Sequence, residues 1–241
     1  AGVLSRTDLY DHTPVYSVAN YDSNRDTLRG CRIAGESGSV LVADFAPGAP
    51  TPVIEVNFHK EAGMAEIEGV TISIPRYVGA GGRVQRIEES VNRVANLIGI
   101  ACSIASTASI RNVHLLGLGA AGLVMHYAFW CRIDRATAWN CGTGFSLFWG
   151  NAAPAQGLEA WYSTLGLHFD GDGAEAQIDT QDCDESVWFM AGDVSTLRTG
   201  YLEDTRATDG TGLYAVKTGT ASGTASKLVH CTFLGPRVNG P

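Results

Sequence analysis

The sequence predicts an all-β solenoid, a parallel β-helix, on three observations. One short pattern recurs: an apolar residue, two polar or turn-forming residues, a second apolar residue, one outward residue, then a third inward residue. Ile110-Arg111-Asn112-Val113-His114-Leu115 is one copy, Ile133-Asp134-Arg135-Ala136-Thr137-Ala138 lies 23 residues on, and Leu158-Glu159-Ala160-Trp161-Tyr162-Ser163 follows after 25 more. Repeats of about 20–50 residues mark units that stack on one another. Between copies run alternations opened by glycine, Gly122-Leu123-Val124-Met125 and Gly144-Phe145-Ser146-Leu147-Phe148, which read as strands with one face on a core. Composition agrees: 29 glycines, 17% charged residues and no long run of helix formers.

Taken in order, residues 1–27 are polar and read as an entry segment or an incomplete first coil, 28–234 as the β-helix and 235–241 as an exit tail. Leu28 to Ile33 gives the first copy and Gly38 to Val42 a strand. Ala46 to Pro52 reads as a turn, because a strand interior excludes proline. Ile54, Val56 and Phe58 then alternate with polar residues, and Ile67 to Ile72 is the second copy. Glycine and proline between Pro75 and Gly82 predict a protruding loop. The helical spacing of Ile87, Val91, Val94 and Ile98 predicts a short helix near 86–95 within it.

The copies begin at 28, 67, 110, 133, 158, 197 and 228. The long gaps read as loop insertions, although a gap near 40 has room for a degenerate extra coil. Their third positions include Gly30, Gly69 and Asn112, residues that enter the left-handed conformation at least cost and so mark a bend. Their fourth positions, Cys31, Val70, Val113, Ala136, Trp161, Gly200 and Cys231, read as an inward column.

Six cysteines show no CxxC pair and no zinc spacing, so they are expected as buried free thiols in a reducing place. A net charge of −8 argues against nucleic acid, which needs a basic surface, and is compatible with neutral or cationic sugars. The most apolar run, Leu115 to Trp130, is too short to span a membrane, so no membrane insertion is expected. The chain begins at Ala1 without a signal-peptide pattern, which leaves processing or a missing first part as alternatives.

The second positions of the copies point outward, and Arg111, Asp134 and Glu159 fall on successive ones. In this register Asp134 and Glu159 are stacked carboxylates with Arg111 beside them, at the separation of about 5–5.5 Å that a retaining glycosidase uses for acid and nucleophile. The same residues equally make a solvated charge column in which Arg111 neutralises Asp134. Trp139, Trp149 and Tyr162 belong to an aromatic cluster suited to sugar faces, and equally to a subunit interface. By alternation Trp161 points inward, and Trp139 outward or into a turn. The acidic stretch from Asp170 to Glu185 does not match a calcium loop and reads as surface; His114 and Thr137 share a column. No dinucleotide or phosphate-binding motif is present, and neither cofactor nor metal is expected.

The run IRNVHLLGLG to GLVMHYAFWCRIDRATAWNCGTGFSLF resembles the pectate-lyase-like right-handed parallel β-helix of bacteriophage tailspikes and polysaccharide depolymerases. The resemblance spans about residues 28 to 234 and lies in pattern rather than in an invariant motif, so it carries over no catalytic residue. The glycine-rich strand and acidic capping helix that open such domains are absent, which implies that other chains or another segment protect the first coil. The resemblance implies a homotrimer on the virion, on tail or capsid exterior, made in the host cytoplasm, touching other virion proteins and binding bacterial surface polysaccharide, with or without cleaving it. A non-catalytic head decoration or fibre subunit, and a free bacterial polysaccharide lyase or epimerase, are the alternatives.

Overall fold

The computed structural model describes residues 16–20, 29–36, 39–58, 63–85, 92–103, 107–126, 131–148, 153–170, 174–189, 194–203, 216–218, 225–228 and 231–233. Its strands are β1 (Tyr16–Asn20), β2 (Arg29–Ala34), β3 (Val40–Val42), β4 (Thr51–Phe58), β5 (Gly63–Glu68), β6 (Thr71–Ser73), β7 (Leu97–Ser103), β8 (Thr107–Leu116), β9 (Ala121–His126) and β10 (Arg132–Trp139). There follow β11 (Thr143–Phe148), β12 (Ala153–Trp161), β13 (Leu165–Asp170), β14 (Ala174–Gln181), β15 (Glu185–Phe189), β16 (Val194–Glu203), β17 (Val216–Thr218), β18 (Ala225–Leu228) and β19 (Cys231–Phe233).

They form two sheets. The first runs β1-β4-β7-β9-β11-β13-β15-β17, and the second runs β2-β5-β8-β10-β12-β14-β16-β18, with β3 and β6 beside its first rungs and β19 beside β16. The chain passes back and forth between the two sheets, staying in the second for two consecutive strands at β2–β3, β5–β6 and β18–β19, and every pairing between named strands is parallel. This is the β-helix that the repeat predicts. Ile67, Ile110 and Ile133 occupy adjacent rungs, as the copies require.

Inward columns from both sheets fill the interior. Ile100, Leu123, Phe145, Leu167 and Val187 line one side, with Val113, Ala136, Leu158 and Ile178 opposite, all essentially inaccessible. The glycines that open the first-sheet strands have a reason to be glycine. A Cβ on Gly99, Gly122, Gly144 or Gly166 would lie 2.6 Å from the carbonyl oxygen of the residue above it in the next coil, closer than real Cβ contacts come. The outer face of this sheet is also buried, with Ile98, Ala101, Ala120, Ala121 and Val124 in a second small cluster.

Bends on the second sheet fall where the third positions predict, at Gly69, Asn112 and Arg135, all with positive φ. Two copies are framed differently from the expectation. Ile33, not Leu28, stacks on Ile67, and Ala155, not Leu158, stacks on Ile133, with Gly157 (φ 62°) as the bend residue. Between 158 and 197 the chain completes an extra coil through β14 and β15, so that gap holds a hidden repeat.

Pro52 is the second residue of β4 rather than part of a turn, close enough to the strand start for its missing N–H to be tolerated. Within the entry segment, Tyr16–Asn20 pairs with β4 and so belongs to a first coil. The short helix expected near 86–95 falls largely on residues 86–91, which lie outside the described residues; Val94 bridges Leu118 in parallel and Ala95-Asn96 turn. Cys102, Cys131, Cys141 and Cys183 are free and buried, as their apolar positions predict. Among the described residues no helix is long and apolar enough to cross a membrane.

At the first coil the interior column Leu41, Ile72, Leu115 ends exposed: Leu41 is 42% accessible, while Ile72 and Leu115 are sealed. Leu41 and its outward neighbour Val42 sit on β3, whose other edge no described strand covers.

Candidate functional site

Two outward columns of the second sheet run side by side up the solenoid. One is polar: Thr71, His114, Thr137, Glu159, Asp179 and Tyr201 stand on successive rungs. Two residues further along each strand the other carries Leu116, Trp139, Trp161 and Gln181. The loop after β6 folds over the lower part of both. Val78 and Val84 bridge in antiparallel fashion, the glycine-rich tip Ala80–Gly82 is exposed, and Tyr77 is buried at the base. Between loop and sheet lies a groove of about 270 Å³ lined by Thr71, Val84, His114, Leu115, Leu116, Thr137 and Trp139.

The groove has a donor-and-acceptor side and an apolar side. His114 is exposed, whereas Thr137 is nearly covered and donates to Glu159 Oε2 at 3.4 Å. Trp139 stacks on Trp161 with ring centroids 5.3 Å apart and planes at 18°, and Tyr162 tilts against Trp139 at 5.0 Å. Successive rungs hold these aromatics in place because the corner that follows each strand takes the left-handed conformation, at Gly117, Asn140, Tyr162 and Asp182. Beyond the corner, Cys141, Ser163 and Cys183 fill small buried sites and bond to nearby backbone. The Cys141 N–H donates to Ser163 Oγ at 3.1 Å, and the Cys183 thiol to the Ala160 carbonyl at 3.4 Å.

One side chain ties the loop to these corners. Arg93 donates through Nε to Asn140 Oδ1 at 2.8 Å, through Nη1 to Thr164 Oγ1 at 2.7 Å and through Nη2 to the Tyr162 carbonyl at 3.1 Å. Asn140 Nδ2 in turn donates to the Tyr77 hydroxyl. Burial lowers the Arg93 pKa from its ordinary value, but a guanidinium stays charged in proteins.

The expected acid pair is not stacked. Asp134 faces Gln156 and Glu159 faces Thr137, which places the two acids three positions apart in register, on either side of the bend at Arg135 and Gly157. The cause is the framing of that copy on Gly157. Glu159 instead has Asp179 on the next rung, and Asp179 Oδ1 accepts the Tyr201 N–H at 3.2 Å. Arg111 does neighbour Asp134 in register, yet its guanidinium turns to Glu66 and Glu68, which Arg32 also meets at 3.2 and 3.6 Å; Asp134 lies 3.9 Å from Arg135.

Trp139 lines the groove, outward as expected, though neighbouring aromatics leave it only 5% exposed. Trp161 shares its outward column rather than pointing inward, and Tyr162 is a covered corner residue. Trp149 lies outside the described residues. His114 and Thr137 do share a column. Val84 and Arg93 belong to the site without any signal in the repeat. Among the described residues no group of three or more His, Cys, Asp or Glu is placed to hold a metal ion. Comparison with known proteins finds no matching family, no matching curated protein and no matching solved structure.

Proposed function

We propose that this chain is a virion-attached, trimeric spike that recognises a polysaccharide of the bacterial surface in the groove over the second sheet. The carrying observation is the pairing of the two columns: hydroxyl and imidazole groups of Thr71, His114 and Thr137 beside the apolar wall of Leu116, Trp139 and Val84. Sugars offer that same pairing, hydroxyls at the rim and C–H on the face. Exposed Leu41 and Val42 at the first coil's edge favour an assembly in which another chain covers them. Trimer and virion attachment otherwise rest on the resemblance to tailspikes.

The test is calorimetric titration with purified bacterial capsular and O-antigen polysaccharides, with sedimentation to read the assembly. A trimer that binds one of them, and loses it in Trp139→Ala, supports the reading. A monomer, or a chain indifferent to every glycan, sinks it.

Cleavage is the second reading, favoured by Glu159 and Asp179 on adjacent rungs beside the groove, where Glu159 accepts from the groove's Thr137. Strand spacing of about 4.8 Å brings their carboxyl groups near the separation of about 5–5.5 Å used by retaining glycosidases.

A further inference from the structure

We infer that Arg93 is the positioning residue of the groove: it fixes the loop wall and the aromatic wall relative to each other, and thereby sets the width available to a ligand. The inference rests on the reading of the groove as a glycan site. Neither wall is continuous with the other in sequence. The loop wall is Val84, carried on a hairpin whose base is Tyr77; the aromatic wall is Trp139 with Trp161 and Tyr162 packed around it.

Arg93 is the junction. Its Nε holds Asn140, the residue directly after Trp139, and the same Asn140 amide donates to Tyr77. Nη2 holds the carbonyl of Tyr162, the residue directly after Trp161, and Nη1 holds Thr164 on that upper corner. The two corners that Arg93 grips are both strained into the left-handed region, Asn140 at φ 52° and Tyr162 at φ 53°. An asparagine adopts that conformation at modest cost, a tyrosine at more. A planar fork with three anchored N–H groups holds such corners; an ammonium on a flexible stem cannot span all three acceptors.

The test uses the full chain with Arg93→Lys, Arg93→Ala and Thr164→Val, all measured well below their unfolding midpoints. The exciton couplet of the stacked indoles in circular dichroism reads the aromatic wall directly, and titration with a polysaccharide bound by the wild type reads the groove. Arg93→Lys and Arg93→Ala are expected to weaken the couplet and lower affinity at least about tenfold, the size expected when a supporting shell is lost, with Thr164→Val causing a smaller loss in both. A folded Arg93→Ala protein with the wild-type couplet and affinity overturns the inference. If Arg93→Ala does not fold, Arg93→Lys decides by the same two readings. Should the wild type bind no polysaccharide, the glycan reading fails, while the couplet still judges whether Arg93 holds the aromatic wall.

Discussion

Thr180 donates a hydrogen bond of 2.8 Å to Ser186 across the interior of the solenoid. The two residues complete each other. Ser186 stands one rung above Gly166, at the position that Gly99, Gly122, Gly144 and Gly166 occupy below, and Thr180 continues the column of Ala138 and Ala160. Where the glycine column acquires a hydroxyl, the facing alanine column acquires its partner. Thr180→Val should therefore cost about 1 kcal/mol by removing this buried bond between the two hydroxyls. The double variant Thr180→Ala with Ser186→Gly should lie closer to wild type than Thr180→Val does, since both polar groups go together. Urea unfolding of the three proteins checks this; equal losses in single and double variants would contradict it.

Gly144→Ala should be poorly tolerated for a different reason. The new methyl would stand 2.6 Å from the Gly166 carbonyl oxygen, a backbone atom that cannot rotate away. A loss of about 1–3 kcal/mol is expected from overpacking. Gly48→Ala is the control, because a Cβ there meets nothing within 4 Å. If the two variants melt alike, the close approach of coils is not what keeps the column glycine.

These contacts also show why part of the fold was legible and part was not. Ile67, Ile110 and Ile133 align because each is followed two residues later by a bend at Gly69, Asn112 or Arg135. In the next coil the inward residue at that position is Ala155, too weakly apolar to stand out, and Leu158 offers a competing frame three residues on. That slip moved Glu159 opposite Asp134 and turned Trp161 inward. The coil at Ala176 was hidden because its bend is one residue shorter, so Gln177 alone answers Gln156 and Gly157. Val84 and Arg93 reach the site from a loop inserted between coils, and the Arg93 contacts span 47 to 71 residues. Periodicity carries no information about such contacts.

Buried thiols should be silent. Burial pushes Cys141 up to about 11 and Cys131 up to about 12, so neither forms the thiolate that alkylation requires. Native protein exposed to iodoacetamide at pH 8 should leave Cys102, Cys131, Cys141 and Cys183 unmodified in peptide mass spectra, and guanidinium should release all four. Rapid native labelling of Cys141 would place that corner in solvent.

His168 should make the fold acid-sensitive. Burial lowers its pKa to about 4, and its ring stacks on Trp188 at 5.1 Å. The unfolded chain, with an ordinary histidine near 6.5, binds more protons than the folded one between those values, so stability rises with pH across that window. Acidification from about pH 7 to pH 4 should remove roughly 3 kcal/mol through this group. His168→Phe should flatten the slope of unfolding free energy against pH between 4 and 6.5. An unchanged slope in that variant would mean that His168 titrates alike in the folded and unfolded chains.

The register of the acids decides which carboxylates can act in concert. Asp134 faces Gln156, while Glu159, which accepts from the groove's Thr137, has Asp179 on the next rung. If a bound polysaccharide is cleaved, Glu159→Gln and Asp179→Asn should each lower turnover about 100-fold or more, the scale of a lost acid or base, with binding retained. Asp134→Asn should leave turnover within about twofold, because surface ion pairs such as that with Arg135 contribute little. Reducing-end release over time, measured beside affinity, separates the outcomes. Loss of turnover in Asp134→Asn with normal turnover in Asp179→Asn would show that chemistry does not follow the stacking. Binding without release of ends in the wild type would leave the groove a recognition surface alone, with Asp179 serving to hold the Tyr201 N–H.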